Sequence, residues 1–298
     1  MPGFSDKWNG LHWSYHLSVT GNPTRRDLLT AAAVMLVSRD ARAAKQRLAK
    51  SSVAAITDEM GSTQTGAIAF AKRYALQWVV LRAVPETKRE FALLSEPELM
   101  SYAAQLDANK LKVSLLKTSA TRKEDLAKGI AAARILGAGA LAVPTGARVA
   151  RPESVYPRIV QDVEALIPLA EAAKIRLAIE NDSMQNVGTA AELKTIIALL
   201  PSKTIGFNWD PREARAVHET PWPTGYSLLP KARMLNVQVN AAGLGGGPNR
   251  IDWRSILETM RKDGFRGEIC LETGISGGDF ENANDFIEDL LHIIGEAA

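Results

Sequence analysis

Eight short apolar runs, each followed by a stretch of helical periodicity or a loop, fill the chain from Ser51 onward. They read SVAAIT, QWVVLR, LKVSLLK, ALAVPT, RLAIEN, TIGFNWD, MLNVQVN and GEICLET. Strands alternating with helices pair in parallel, because the intervening helix carries the chain back to begin the next strand in the same direction. The helical pattern falls on residues 64–74, 96–108, 123–136, 157–173, 190–200, 253–262 and 282–295, with Thr189 as an N-cap and Gly137, Gly139, Gly264 and Gly267 as stops. Repeats of roughly 30 residues, about 250 in all, predict an α/β fold with a single (β/α)8 barrel. An open doubly wound sheet is the competing arrangement. It is weakened because ITDEMGSTQTG follows the first strand, where a dinucleotide-binding sheet carries G-x-G-x-x-G. A chain of 298 residues with 46% hydrophobic content can bury such a core.

Four of the runs end in a side chain that can hold a metal through oxygen: Glu180, Asp210, Gln238 and Glu272. Period-two alternation places Leu177, Ile179, Phe207, Trp209, Leu235, Val237, Ile269 and Leu271 on one face and the four terminal residues on the other. At the C-terminal mouth of a barrel, inward strand-end side chains converge, and active sites are built there. Donors that offer only oxygen favour a hard divalent cation, Mg²⁺ or Mn²⁺, over zinc. The longest stretches without regular periodicity, 211–231 and 241–252, come after the sixth and seventh strands and would enclose a substrate at that mouth.

The segments IENDSMQNVGTAAEL, GFNWDP and IDWRSILETMRKDGFRGEICLE give the chain, from about Ser51 to its end, a resemblance to the sugar phosphate isomerase/epimerase superfamily with the xylose-isomerase-like TIM barrel. The resemblance implies that Glu180, Asp210 and Glu272 are metal ligands and that Glu180 and Glu272 form the acid/base pair. The fourth ligand in such proteins is usually a histidine on the seventh strand. Gln238 stands there, as glutamine does in members resembling hydroxypyruvate isomerase, and its amide oxygen can still bind a hard cation. Asp182 and Asn240 also depart from the common pattern, so no single substrate is implied.

The implied chemistry is isomerisation or epimerisation of a sugar or small hydroxy-carbonyl compound. One glutamate removes a carbon-bound proton beside a carbonyl and the other returns one, through an enediolate. Two alternatives stay open at this level: a lyase that eliminates from a 3-keto-glycoside with the same groups, and a sugar-binding barrel without turnover. A DNA-cleaving relative is excluded on two grounds. Such a multi-metal site needs several histidines, and only His218 and His292 lie beyond residue 43. The charge there is also near balance, 31 basic against 30 acidic side chains.

Further candidates for substrate contact are Arg82 and Lys117 at the ends of the second and third strands, Asn208, and Asn240. His218 and Trp222 in the long loop are also candidates, the tryptophan as a lid. Arg250 beside the glycine-rich AAGLGGGPNR could meet an anionic group. Trp209 is expected outward against a helix, and Cys270 as a small buried side chain.

Residues 1–43 read as a leader and 44–298 as the barrel. Arg25-Arg26, the apolar LLTAAAVMLV and the A-x-A pattern Ala41-Arg42-Ala43 resemble a twin-arginine export signal. The apolar stretch is too short for a permanent membrane helix, which needs about 20 residues. The expectation is therefore an exported, periplasmic protein without a membrane anchor. It would be cytoplasmic if the leader is an artefact of start-site choice.

Overall fold

The computed structural model describes residues 49–244, 250–274 and 281–297. The leader expected over residues 1–43 lies outside them. Eight parallel strands close on themselves in sequence order, β1 (Val53–Ile56), β2 (Trp78–Leu81), β3 (Lys112–Leu116), β4 (Ala140–Ala142), β5 (Arg176–Glu180), β6 (Ile205–Trp209), β7 (Met234–Asn240) and β8 (Glu268–Glu272), with β8 pairing back to β1. The expected single (β/α)8 barrel is the observed fold. Around it lie α1 (Gln64–Arg73), α2 (Glu96–Ala108), α3 (Lys123–Ile135), α4 (Tyr156–Glu164), α5 (Ile167–Ala173), α6 (Ala190–Leu199), α7 (Pro211–Ala216), α8 (Trp253–Lys262) and α9 (Glu281–Ala297). No helix among the described residues is long and apolar enough to cross a membrane.

Helix ends obey local chemistry. Ser95 with Glu98 and Thr189 with Glu192 form capping boxes at α2 and α6, and left-handed Gly137 (φ 65°) and Gly264 (φ 73°) come just after α3 and α8. The single helix expected over 157–173 divides into α4 and α5. Pro168 cannot donate to the carbonyl of Glu164 and would collide with it, so the helix breaks between the two residues. The stretch 211–231, expected to lack regular structure, begins with α7, because Asp210 caps it and Pro211 occupies its first position.

The outer face of the barrel carries Leu177, Ile179, Phe207, Trp209, Val237, Ile269 and Leu271 into the core shared with the helices. Trp209 is fully buried there against Tyr226, with ring centroids 5.4 Å apart, as expected of an outward residue. The interior is divided. Ala54, Ile56, Val80, Leu115, Ala140, Ala142, Ala178 and Cys270 form a small apolar cluster, whereas β6 and β7 turn Asn208, Asn236 and Gln238 inward, each no more than 1% exposed. Cys270 is buried and unpaired, as expected.

Leu235 corrects the alternation read from sequence. Phe207 pairs with Met234 but Asn208 pairs with Asn236, so Leu235 is the extra residue of a β-bulge and packs against the inner cluster rather than outward. Gly206 makes the room. A Cβ at that position would lie 2.6 Å from Leu235 Cγ and 2.7 Å from the carbonyl oxygen of Arg233. Gly206→Ala is therefore expected to destabilise the barrel by about 1–3 kcal/mol, as overpacking does. Urea unfolding monitored by circular dichroism measures it, and an unchanged midpoint would contradict the close approach.

Candidate active site

Strand register brings the expected residues to one floor. Glu180 and Asn208 are paired neighbours on β5 and β6, Gln238 points inward from β7, and Glu272 ends β8 opposite Asn240. Ligand oxygens of Glu180, Asp210 and Glu272 all lie within 4.8 Å of one another. Lys117, directly after β3, places its Nζ 3.0 Å from Glu180 Oε1 and 3.5 Å from Glu272 Oε2. Gln238 Nε2 donates to the same two oxygens, at 2.7 Å to Glu272 and 3.4 Å to Glu180.

Asp210 is held differently. Its Oδ1 accepts from the backbone N–H groups of Arg212 (2.7 Å) and Glu213 (3.1 Å), so it serves as N-cap of α7 and as a wall of the site. Its own backbone is fixed by Asn181, fully buried. Asn181 Oδ1 accepts from Asp210 N at 2.8 Å, while Asn181 Nδ2 donates to Asp210 O at 2.6 Å.

Burial dominates the electrostatics. It pushes the Glu180 carboxyl up, against the pull of Lys117 and with a further push from Glu272. Asp210 is raised well above the usual carboxylate range by burial and by Glu272. Burial would lower the Lys117 ammonium, but Glu180 and Glu272 outweigh it and the group stays protonated. The Cys270 thiol is pushed well up by burial, which makes it inert.

The donor set fits a hard divalent cation. Three carboxylates converge with an amide whose oxygen, Gln238 Oε1, is buried without a hydrogen-bond partner. A buried acceptor left unmatched costs about 1–3 kcal/mol, and a cation on the floor would satisfy it once the amide turned.

Above the floor opens a cleft of about 420 Å³ whose walls include Arg82, Glu90, Lys117, Glu180, Asp182 and Glu272. Arg82 spans Asp58 (2.8 Å) and Glu59 (3.0 Å), both buried in the helical turn Thr57–Met60 after β1. Glu59 Oε2 accepts from the N–H of Thr273 at 2.6 Å and of Gly274 at 3.3 Å, directly after Glu272. Asp58 and Glu59 are not among the residues expected at the site. Their signal was nevertheless present in the carboxylates of TDEM at the end of the first strand, the same position along a strand as Glu180, Asp210 and Glu272.

The remaining candidates sit elsewhere. Asn208 is fully buried inside the barrel beside Glu180 and is not among the residues lining the cleft. Asn240 Oδ1 accepts from Ala242 N at 3.0 Å and so shapes the turn after β7. His218 is exposed at the turn after α7, with φ 66° and its N–H on the Arg215 carbonyl, and does not line the cleft. Trp222 is half-buried, packs on Tyr226 with centroids 5.4 Å apart, and is not among the residues lining the cleft. Arg250 is exposed, and its carbonyl accepts from Arg215 Nη1 at 2.7 Å.

A family model described as xylose isomerase-like TIM barrel matches residues 68–294. The chain belongs to this family. Among solved structures of the same fold, a D-tagatose 3-epimerase-like protein superposes with TM-score 0.65 at 14% identity, covering 82% of this chain and 98% of the other. A 3-keto-D-glucoside 4-epimerase from E. coli gives 0.61 at 12% identity, covering 81% and 98%. A xylose isomerase-like barrel from Mycobacterium smegmatis in complex with magnesium gives 0.63 at 14% identity, covering 84% and 99%. No curated protein matches by sequence. At these identities the superpositions show that the barrel family shares its fold with this chain and no more.

The raised carboxyls of Glu180 and Asp210 give a pH signature. A carboxyl held above its unfolded value adds stability at low pH, where it is protonated in both states. That contribution is lost as pH rises from about 4 through the folded value. Without metal, melting temperature is therefore expected to fall across this range. With millimolar Mg²⁺ or Mn²⁺ the fall should shrink, because cations bind the ionised ligands. Thermal melts from pH 4.5 to 8 with and without metal measure it, and a metal effect that is the same at every pH would count against the site.

Proposed function

We propose that this protein is a sugar isomerase or epimerase that transfers a proton at a carbon beside a carbonyl, with Glu180 and Glu272 as the acid/base pair. One observation carries the reading: two carboxylates from non-adjacent strands, β5 and β8, reach the same Lys117 ammonium and the same Gln238 amide. They therefore flank a single point at the floor of the cleft, which is the arrangement needed to take a proton from one side of a carbon and return it.

Glu180, Asp210, Gln238 and Glu272 are the residues that would hold a divalent cation. When bound, that cation would polarise the carbonyl and neighbouring hydroxyl oxygens of the substrate. The chain's own groups do the rest. Glu180, whose carboxyl burial pushes up, and Glu272 are the groups that would take and return the proton. Asn181 and the N-terminus of α7 fix Asp210, and Glu59 fixes the turn after Glu272.

The xylose isomerase-like family match and the sugar epimerases of the same fold support a carbohydrate substrate. The leader-like Arg25-Arg26 segment supports an exported enzyme, for which an unphosphorylated sugar is the fitting class.

Incubation in D₂O with a panel of ketoses, 3-keto-glycosides and hydroxypyruvate, read out by NMR, tests the proposal. Deuterium is expected at the carbon beside the carbonyl of at least one compound. Glu180→Gln and Glu272→Gln should each lower the exchange rate by about 10²–10⁴-fold. Exchange that persists in both variants would rule out the assigned pair.

A further inference from the structure

The two glutamates at the floor are already bound by a positive charge from within the chain. Lys117 Nζ lies 3.0 Å from Glu180 Oε1 and 3.5 Å from Glu272 Oε2, and its side chain is only 15% exposed. Gln238 Nε2 donates to those same oxygens, which leaves Oε1, the atom a cation would need, buried and unmatched. Lys117 and Gln238 thus both present N–H donors to the carboxylate pair. Asp210, the third carboxylate, is bound instead by backbone N–H groups of α7.

A divalent ion held by these carboxylates would crowd the ammonium. Mg²⁺ sits about 2.1 Å from its oxygen ligands. An ion on an oxygen that is 3.0 Å from the ammonium therefore lies within about 5 Å of it. Like charges that close, in a site largely closed to water, repel strongly. The ammonium has somewhere to go, since Lys117 lines the 420 Å³ cleft and carries its charge on a flexible four-carbon stem.

We propose that Lys117 is the resident cation of the carboxylate floor, and that a divalent ion binds only by displacing its ammonium into the cleft. The proposal rests on the oxygen-ligand reading of the site and adds to it a determinant of metal affinity. Removing the lysine charge should strengthen metal binding. A lysine that merely held the glutamates in place for the metal would have the opposite effect, its loss weakening the binding. Displacement also couples the two halves of the site, because metal uptake delivers a free ammonium to the space where substrate oxygens lie.

Mn²⁺ binding to the full chain and to Lys117→Met, measured by the electron paramagnetic resonance signal of free Mn²⁺ and by calorimetry, tests this, with thermal melts establishing that both are folded. Lys117→Met is expected to bind Mn²⁺ at least tenfold more tightly, or to bind it where the native chain does not. Equal or weaker binding by the variant, with the native chain binding, overturns the displacement and leaves the metal site standing. No binding by either overturns the metal site and the displacement together.

Lysine-ammonium NMR of the ¹⁵N-labelled native chain gives an answer that does not depend on the Met variant folding. The Lys117 resonance, assigned by its loss in Lys117→Arg and protected by its two carboxylates, is expected to disappear into solvent exchange when Mg²⁺ is added. A signal that stays unchanged while Mg²⁺ binds overturns the proposal.

Discussion

Carboxylates gathered in a place largely closed to water repel one another, and that repulsion governs the upper end of this barrel. Glu180, Asp210 and Glu272 have ligand oxygens within 4.8 Å, and Glu180 and Asp210 are pushed toward protonation by burial. Donors from three elements answer this charge. Lys117 and Gln238 donate to the glutamates, and the first N–H groups of α7 donate to Asp210. The ammonium of Lys117 lies within 3.5 Å of both glutamates and offsets part of their charge.

Holding the cluster requires fastening strand ends that are distant in sequence. Glu59, after β1, accepts from the backbone of Thr273 after β8, a separation of 214 residues, and Arg82 after β2 joins Glu59 to Asp58. On the other side Asn181 after β5 bonds both backbone groups of Asp210 after β6. The turns after β1 and β8, and those after β5 and β6, are thus tied in pairs by a buried side chain, Glu59 or Asn181, bonded to backbone. Such bonds fix position more firmly than contacts between flexible side chains. The barrel closure between β1 and β8 is therefore part of the site as well as of the fold.

The fold was readable because its signals are local. Apolar runs with period two, helical stretches between them and the cap residues Thr189 and Gly264 each depend on a few neighbouring residues. The strand-end carboxylates were readable for the same reason: their phase along each strand decides their face. Leu235 shows where this stops. A bulge changes the phase, and the reason for the bulge is Gly206 on the neighbouring strand, which no pattern along β7 records. Trp222 and His218 do not line the cleft, because loop composition does not reveal which way a turn folds. Lys117 was legible only as a candidate for substrate contact, since its bond to Glu180 spans 63 residues and its bond to Glu272 spans 155.

Gln238 ties these threads together. An amide presents a donor and an acceptor on one planar group, so by turning over it can face a pair of bare carboxylates or a cation among them. A neutral histidine at that position would bind a divalent ion through a ring nitrogen and, once protonated, would compete with it. Glutamine does neither strongly. Paired with Lys117, its donor face meets the two glutamates, while the acceptor face stays unmatched and is the one that would meet a cation. Lys117, two strand-ends before Glu180 in the barrel, meets the same two carboxylate oxygens as the Gln238 amide, so the two residues make physical sense as one arrangement in which an ammonium and a neutral donor together offset part of the charge of the floor.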